Sequence, residues 1–189
     1  GTTPETAAPL TWSEKEHVAW RIDLPGSGNS SPIVVGDKVL VAAARDKGTK
    51  RGLWCYDRAT GKELWKQVID FADTEPTHNT NPYAGATPAS DGRRVVVWHS
   101  SAGLYCYDLD GKELWRRDLG SFKHIWGYGS SPVIDGDRIF LNAGPGKGAA
   151  LFALELSTGK TLWQVDDPDA ADDTNPKGTT PRSKWIGSW

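Results

Sequence analysis

Cysteine is scarce in this chain: Cys55 and Cys106 are the only two in 189 residues. Neither sits in a C-x-x-C pattern of the redox or zinc type. No run of about 18 or more apolar residues occurs, so no segment reads as a membrane-spanning helix. Charge of one sign is also missing, since 22 Lys and Arg stand against 24 Asp and Glu for a net −2. The chain therefore has no strong basic field, and nucleic acid is not an expected partner. Helical periodicity is absent as well, because no segment carries apolar residues at i, i+3, i+4 and i+7 over several turns.

What the chain does have is a repeat. Trp20, Trp65, Trp115 and Trp163 occupy matching points, with steps of 45 (20 to 65), 50 (65 to 115) and 48 (115 to 163) residues. Three of the four follow one phrase: Gly61-Lys62-Glu63-Leu64-Trp65, Gly111-Lys112-Glu113-Leu114-Trp115 and Gly159-Lys160-Thr161-Leu162-Trp163. Before each lies a hairpin signal, two β-branched runs around a Gly/Asp turn, as in Ser30-Ser31-Pro32-Ile33-Val34-Val35-Gly36-Asp37-Lys38-Val39-Leu40-Val41. A third apolar run follows (Leu53-Trp54-Cys55-Tyr56-Asp57, Leu104-Tyr105-Cys106-Tyr107-Asp108, Leu151-Phe152-Ala153-Leu154-Glu155). Four antiparallel strands at this period predict one blade of a β-propeller per repeat. Gly61, Gly111 and Gly159 are expected to supply the positive φ of the turn before the fourth strand. The repeat tryptophans are expected to bury their rings between blades and donate their N–H groups to backbone carbonyls. Cys55 and Cys106, at one repeat position of neighbouring blades, read as small buried hydrophobes too far apart for a disulfide.

The phrases Tyr56-Asp57-Arg58-Ala59-Thr60-Gly61-Lys62-Glu63-Leu64-Trp65 and Leu156-Ser157-Thr158-Gly159-Lys160-Thr161-Leu162-Trp163 resemble the PQQ-like (pyrroloquinoline-quinone-like) propeller repeat, whose blades end in Ala-x-Asp-x-x-Thr-Gly-x-x-x-Trp. The likeness runs from about Trp12 to the end. Its opening, Leu10-Thr11-Trp12-Ser13 with Val18-Ala19-Trp20-Arg21-Ile22-Asp23-Leu24, looks most like uncharacterised secreted members from planctomycete-type bacteria. The family also contains quinoprotein dehydrogenases and the BamB-type propeller of outer-membrane assembly. The resemblance implies an all-β partial propeller, about half of an eight-bladed ring at roughly 48 residues per blade. It also implies a periplasmic or secreted location.

Within that frame the expected pieces are a closing outer strand at 12–24, blades at 25–70, 82–120 and 127–166, and the start of another blade at 185–189. The remaining blades are expected from a longer form of the same chain or from a second chain. The opening at Gly1, with no charged-then-apolar leader, is what a cleaved signal peptide or a trimmed chain leaves.

Function is expected on the face that carries the longer connections, 45–52, 71–84, 121–128, 144–149 and 166–184, because variable loops on a rigid scaffold are where binding sits. Two of these are chemically rich and give the candidate ligand residues His78, Asn79, Asn81, Tyr83, His124, Trp126 and Tyr128. Such a set suits a sugar, a peptide strand or a quinone. Ligation of a metal by His78 and His124 has no spacing support, and the acidic stretch from Asp166 to Asp173 lacks the order of a calcium loop. No Ser, His and acid are spaced as a nucleophile, base and orienting group.

The expectation is thus a non-catalytic scaffold that binds a protein or cell-envelope component. The alternative is a quinoprotein dehydrogenase-like enzyme. The resemblance implies PQQ with Ca²⁺ for that branch, held against an adjacent-cysteine disulfide, and this sequence has no Cys-Cys pair.

Overall fold

The computed structural model describes residues 9–73 and 75–168. They form three four-stranded antiparallel sheets. The first is β1 (Ile33–Val35), β2 (Lys38–Arg45), β3 (Lys50–Asp57) and β4 (Glu63–Asp70). The second is β5 (Ala89–Ser90), β6 (Arg94–Trp98), β7 (Leu104–Asp108) and β8 (Glu113–Arg117). The third is β9 (Val133–Asp135), β10 (Arg138–Ala143), β11 (Ala150–Glu155) and β12 (Thr161–Asp166). Strand order follows chain order in each sheet, which makes each a propeller blade. Among the described residues the only helical pieces are short 3₁₀ turns at Asp46–Gly48 and Ser100–Ala102.

The blades stack face to face, and the pleat explains the near-continuous apolar runs. On blade 2, Val95, Val97, Tyr105 and Tyr107 pack against Leu40, Ala42, Leu53 and Cys55 of blade 1. The alternate residues Val96, Trp98, Leu104 and Cys106 pack against Ile139, Leu141, Phe152 and Leu154 of blade 3. Successive side chains point to opposite faces of a strand, so a strand buried on both faces must be apolar throughout. Cys55 and Cys106 are fully buried free thiols in these two cores. Burial pushes their acidities to about 11 and about 12 respectively.

The turn phrase has a mechanical reason at each of its positions. Thr60 donates its hydroxyl at 2.6 Å and its backbone N–H at 2.8 Å to the Asp57 carboxylate, closing the turn before β4, and these bonds, the hydroxyl's first, hold the Asp57 carboxyl below its usual range. Lys112 N–H does the same to Asp108, at 2.8 Å. Gly61, Gly111 and Gly159 adopt φ of 71°, 86° and 70°. Each is also a seat for an indole. A Cβ on Gly61 would lie 2.7 Å from the Trp20 ring, one on Gly111 2.7 Å from Trp65, and one on Gly159 2.6 Å from Trp115. The seated indoles donate Nε1–H to the carbonyls of Arg58 (2.8 Å), Leu109 (2.9 Å) and Leu156 (3.0 Å). Two residues after the tryptophan, Gln67 and Arg117 add bonds to the Gly111 and Gly159 carbonyls at 2.7 and 2.5 Å. β4 and β8 are thereby latched to the turn of the next blade, and the segment of Trp20 to the turn of blade 1. Directly across the sheet from the tryptophans stand Cys55, Cys106 and Ala153, and a register shift follows each of them.

The structure departs from the sequence expectation in two places. The connection expected at 45–52 shrinks to 46–49, because β2 continues through Ala42, Ala43 and Ala44 and β3 begins at Lys50. These alanines carry little β signal alone, but all three are buried between sheets. The segment expected as an outer strand at 12–24 contains no strand; its only pairing is an isolated bridge between Ser13 and Glu16. An outer strand needs the edge of a third strand to pair with, and none lies beside it among the described residues. Trp20 still takes the indole seat on blade 1. The expected blade start at 185–189 lies outside the described residues, as does most of the acidic stretch that begins at Asp166.

Candidate functional site

The long connections gather on one face. Two of them, 46–49 between β2 and β3 and 71–88 between β4 and β5, flank a cleft of about 350 Å³. The third, 118–132 between β8 and β9, is tied to the second by Asn81, whose amide donates to the carbonyls of Trp126 (2.7 Å) and Tyr128 (3.1 Å). Tyr128 donates its hydroxyl to the Tyr83 carbonyl at 2.6 Å, and Tyr83 donates to the Glu75 carbonyl at 2.8 Å. Burial raises the Tyr128 phenol well above its ordinary pKa, so it remains a donor.

The seven candidates therefore separate. Asn81, Tyr83 and Tyr128 hold loop to loop. His124 is buried, and its Nδ1 accepts the Trp126 N–H at 3.2 Å. His78, Asn79 and Trp126 remain toward solvent. The His78 ring packs against Trp126 at a tilt of 40° with centroids 4.7 Å apart, and its Nδ1 pairs with the Thr80 hydroxyl at 2.8 Å. Trp126 is 48% exposed, with its backbone fixed by His124 and Asn81.

Beneath this surface lies a polar cluster that the sequence reading did not identify. Arg51, on β3, is fully buried, and its guanidinium donates to Glu75 (2.5 Å), the His99 carbonyl (2.6 Å) and the Gly48 carbonyl (2.9 Å). It lies over the rings of Phe71 (4.7 Å) and Tyr83 (5.3 Å). The second oxygen of Glu75 accepts from the hydroxyls of Ser100 and Ser101, and Ser101 in turn accepts the Phe122 N–H at 2.7 Å. One ion pair thus connects β3, the β4–β5 and β6–β7 connections and the β8–β9 connection. A signal was present: alignment of the repeats puts alanine, Ala102 and Ala149, where blade 1 has Arg51. Nothing in the sequence pairs Arg51 with a glutamate 24 residues away. His99 is itself buried, and burial, then the Arg51 charge, lowers its pKa to about 3, so its ring is neutral at physiological pH.

Among the described residues, no three His, Cys, Asp or Glu side chains gather as a metal site. Cys55 and Cys106 lie in separate cores rather than as an adjacent pair. The described residues do not fit the quinone and calcium arrangement that the PQQ-like resemblance implies for dehydrogenases. No helix among them is long and apolar enough to cross a membrane.

Comparison with known proteins places this geometry. The family described as outer membrane protein assembly factor BamB matches the chain over residues 10–68 and 50–183. A polyvinylalcohol dehydrogenase of Sphingopyxis sp. (strain 113P3) is 25% identical over 167 residues, covering 79% of this chain and 24% of the relative. The outer membrane protein assembly factor BamB of Burkholderia pseudomallei (strain K96243) is 26% identical over 138 residues, covering 73% of this chain and 30% of the relative. The crystal structure of BamB from Moraxella catarrhalis superposes with a TM-score of 0.56 at 19% identity, over 82% of this chain and 45% of that one. The chain thus matches 24% of the length of the polyvinylalcohol dehydrogenase and 30% of that of the Burkholderia BamB.

Proposed function

Since the chain belongs to the family of the outer membrane protein assembly factor BamB, we propose that it is a non-catalytic propeller scaffold that binds a protein or cell-envelope ligand through its long-loop face. The observation that carries this reading is the division of labour among the loop residues. Asn81, Tyr83, His124 and Tyr128 are spent on holding the connections rigid. His78, Asn79 and Trp126 are left on the outer side of that frame. Rigid loops with exposed aromatic and polar groups lower the ordering cost of binding. An extracytoplasmic site of action belongs to the same reading, since the relatives include outer-membrane assembly factors.

The test is capture of envelope proteins or polymers from an extract by the intact chain and by a His78/Asn79/Trp126 triple alanine variant. The variant is expected to lose the captured component. Identical capture by both would mean that the ligand face is elsewhere.

A second reading, a quinoprotein dehydrogenase-like enzyme, is favoured by the 25% identity to polyvinylalcohol dehydrogenase. It requires a cofactor site outside the residues described here. Addition of PQQ and Ca²⁺ to the full-length protein should then yield bound quinone absorbance and dye-linked alcohol oxidation. Absence of both removes this reading.

A further inference from the structure

Three tryptophans of the repeat are seated and one is not. The rings of Trp20, Trp65 and Trp115 lie where a Cβ would stand on Gly61, Gly111 and Gly159, and their Nε1–H groups reach carbonyls of the same turns. Trp163 has no such seat among the described residues. Its ring leans on Phe140 of its own sheet, with centroids 6.1 Å apart, and the residue is 42% exposed. Val165 and Leu151, paired across β12 and β11, are exposed beside it.

This uncovered face is one half of a contact that the molecule already makes twice. Asn142 and Leu151 stand where blade 2 has Trp98 and Leu104, which meet blade 3. The other half lies at the opposite end of the chain. On blade 1, Val41 and Trp54 stand where blade 2 has Val97 and Tyr105, which receive blade 1. Repeats that stack by one interface make their two end faces complementary.

The half on blade 1 is occupied by residues 18–24. No strand of the described residues pairs with this segment. It is held by the seated Trp20 and by Ile22, which packs on Val41, Ala43, Trp54 and Tyr56. Of the three fourth strands, β12 alone repeats its pattern. The residue two places after the tryptophan is Ile22 in the segment and Val165 in β12, but Gln67 in β4 and Arg117 in β8. Gln67 and Arg117 instead bond the carbonyl of the next turn. Trp163-Gln164-Val165 therefore suits the site that Trp20-Arg21-Ile22 fills. Gly61 is also the one seat of the three that no blade of the chain takes.

We propose that the uncovered face of blade 3 is an interface for blade 1 of a second copy of this chain, and that residues 18–24 block it by holding Trp20 in the seat that Trp163 of the other copy would take. A segment of the same chain acts at an effective concentration on the order of millimolar, so at micromolar protein the segment wins. Its release opens head-to-tail pairing, a heterologous contact that closes as a ring or extends as a series. The proposal rests on the blade contacts and is independent of the long-loop face.

The test is sedimentation velocity of the full chain across the micromolar range. Wild type is expected to sediment as one copy. Trp20→Ala with Ile22→Ala, which empties the seat, should give a concentration-dependent mass of two copies or more. Addition of Trp163→Ala to that pair should restore the monomer, which it would not do for non-specific aggregation. Mixing separates the two ends. The triple variant offers only a seat and wild type offers only Trp163, so each alone is monomeric and the mixture should form a one-to-one dimer and nothing larger. Circular dichroism checks folding. Should the double alanine variant not fold, Trp20→Phe, which fills the seat without the Nε1–H bond, should still shift the mass at higher protein concentration. Association that survives Trp163→Ala, or wild type that associates as readily as the double variant, would overturn the proposal. Monomers in every variant and mixture would also overturn it, and would leave the face to a further blade of a longer form of this chain.

Discussion

At the scale of single residues, glycine and tryptophan are one device. Gly111 needs its positive φ for the turn, and it needs a bare Cα because the Trp65 ring lies where a Cβ would be. Gly36 has a positive φ of 59° but open space around it. The two therefore make different predictions on substitution by alanine. Gly36→Ala should cost only the left-handed backbone penalty, about 1 kcal/mol. Gly111→Ala should cost about 3 kcal/mol, since displacement of the packed indole adds to that penalty. Urea denaturation of the two variants measures the difference, and equal losses would contradict the seat. His99 gives a pH prediction. Its folded pKa of about 3 lies below the ordinary histidine value of 6.5, so the unfolded chain binds more protons between these values. Its contribution is fully present above the unfolded pKa and is lost as pH falls through that window toward 3. His99→Phe, which carries no titrating group, should flatten the slope of stability against pH in this range, whatever it does to the absolute level.

At the scale of elements, the connections on the long-loop face are held from below by Arg51 and Glu75. Removal of one partner leaves the other charge buried without compensation, at a cost of about 3–5 kcal/mol. Glu75→Ala is expected to destabilise by this amount, and pairing it with Arg51→Met should recover much of the loss. Thermal unfolding of the two variants checks it; a double variant no better than the single would show that the cluster is not an isolated pair. This is also where sequence reading stopped short. Polar and aromatic residues on variable loops suggest ligands. Asn81, Tyr83, His124 and Tyr128 instead bond the loop backbone, and the Asn81 and Tyr128 bonds join segments some 45 residues apart. Residue type alone does not separate a loop clamp from a ligand contact, because both require the same donors and rings.

For the whole molecule, burial differs among the blades. Blade 2 is covered on both faces by neighbouring blades. Blade 3 leaves Leu151, Val165 and the 42%-exposed Trp163 uncovered among the described residues. Amide exchange should accordingly be slowest in β6 and β7 and fastest in β12 of the three sheets, because local opening follows buried apolar contact. Equal protection across all three blades would contradict this order. The sequence by itself determined the blade: strand number, turn position and the spacing of tryptophans all follow from local propensity and a fixed period. It also determined that both cysteines are buried, since they share one apolar strand position. Only the tertiary structure decided which loop residues clamp and which remain free, where the Arg51 charge is compensated, and that each turn glycine is also a seat for an indole. Those properties arise from one blade meeting another, and such contacts depend on side chains brought together from distant points of the chain rather than on any local pattern.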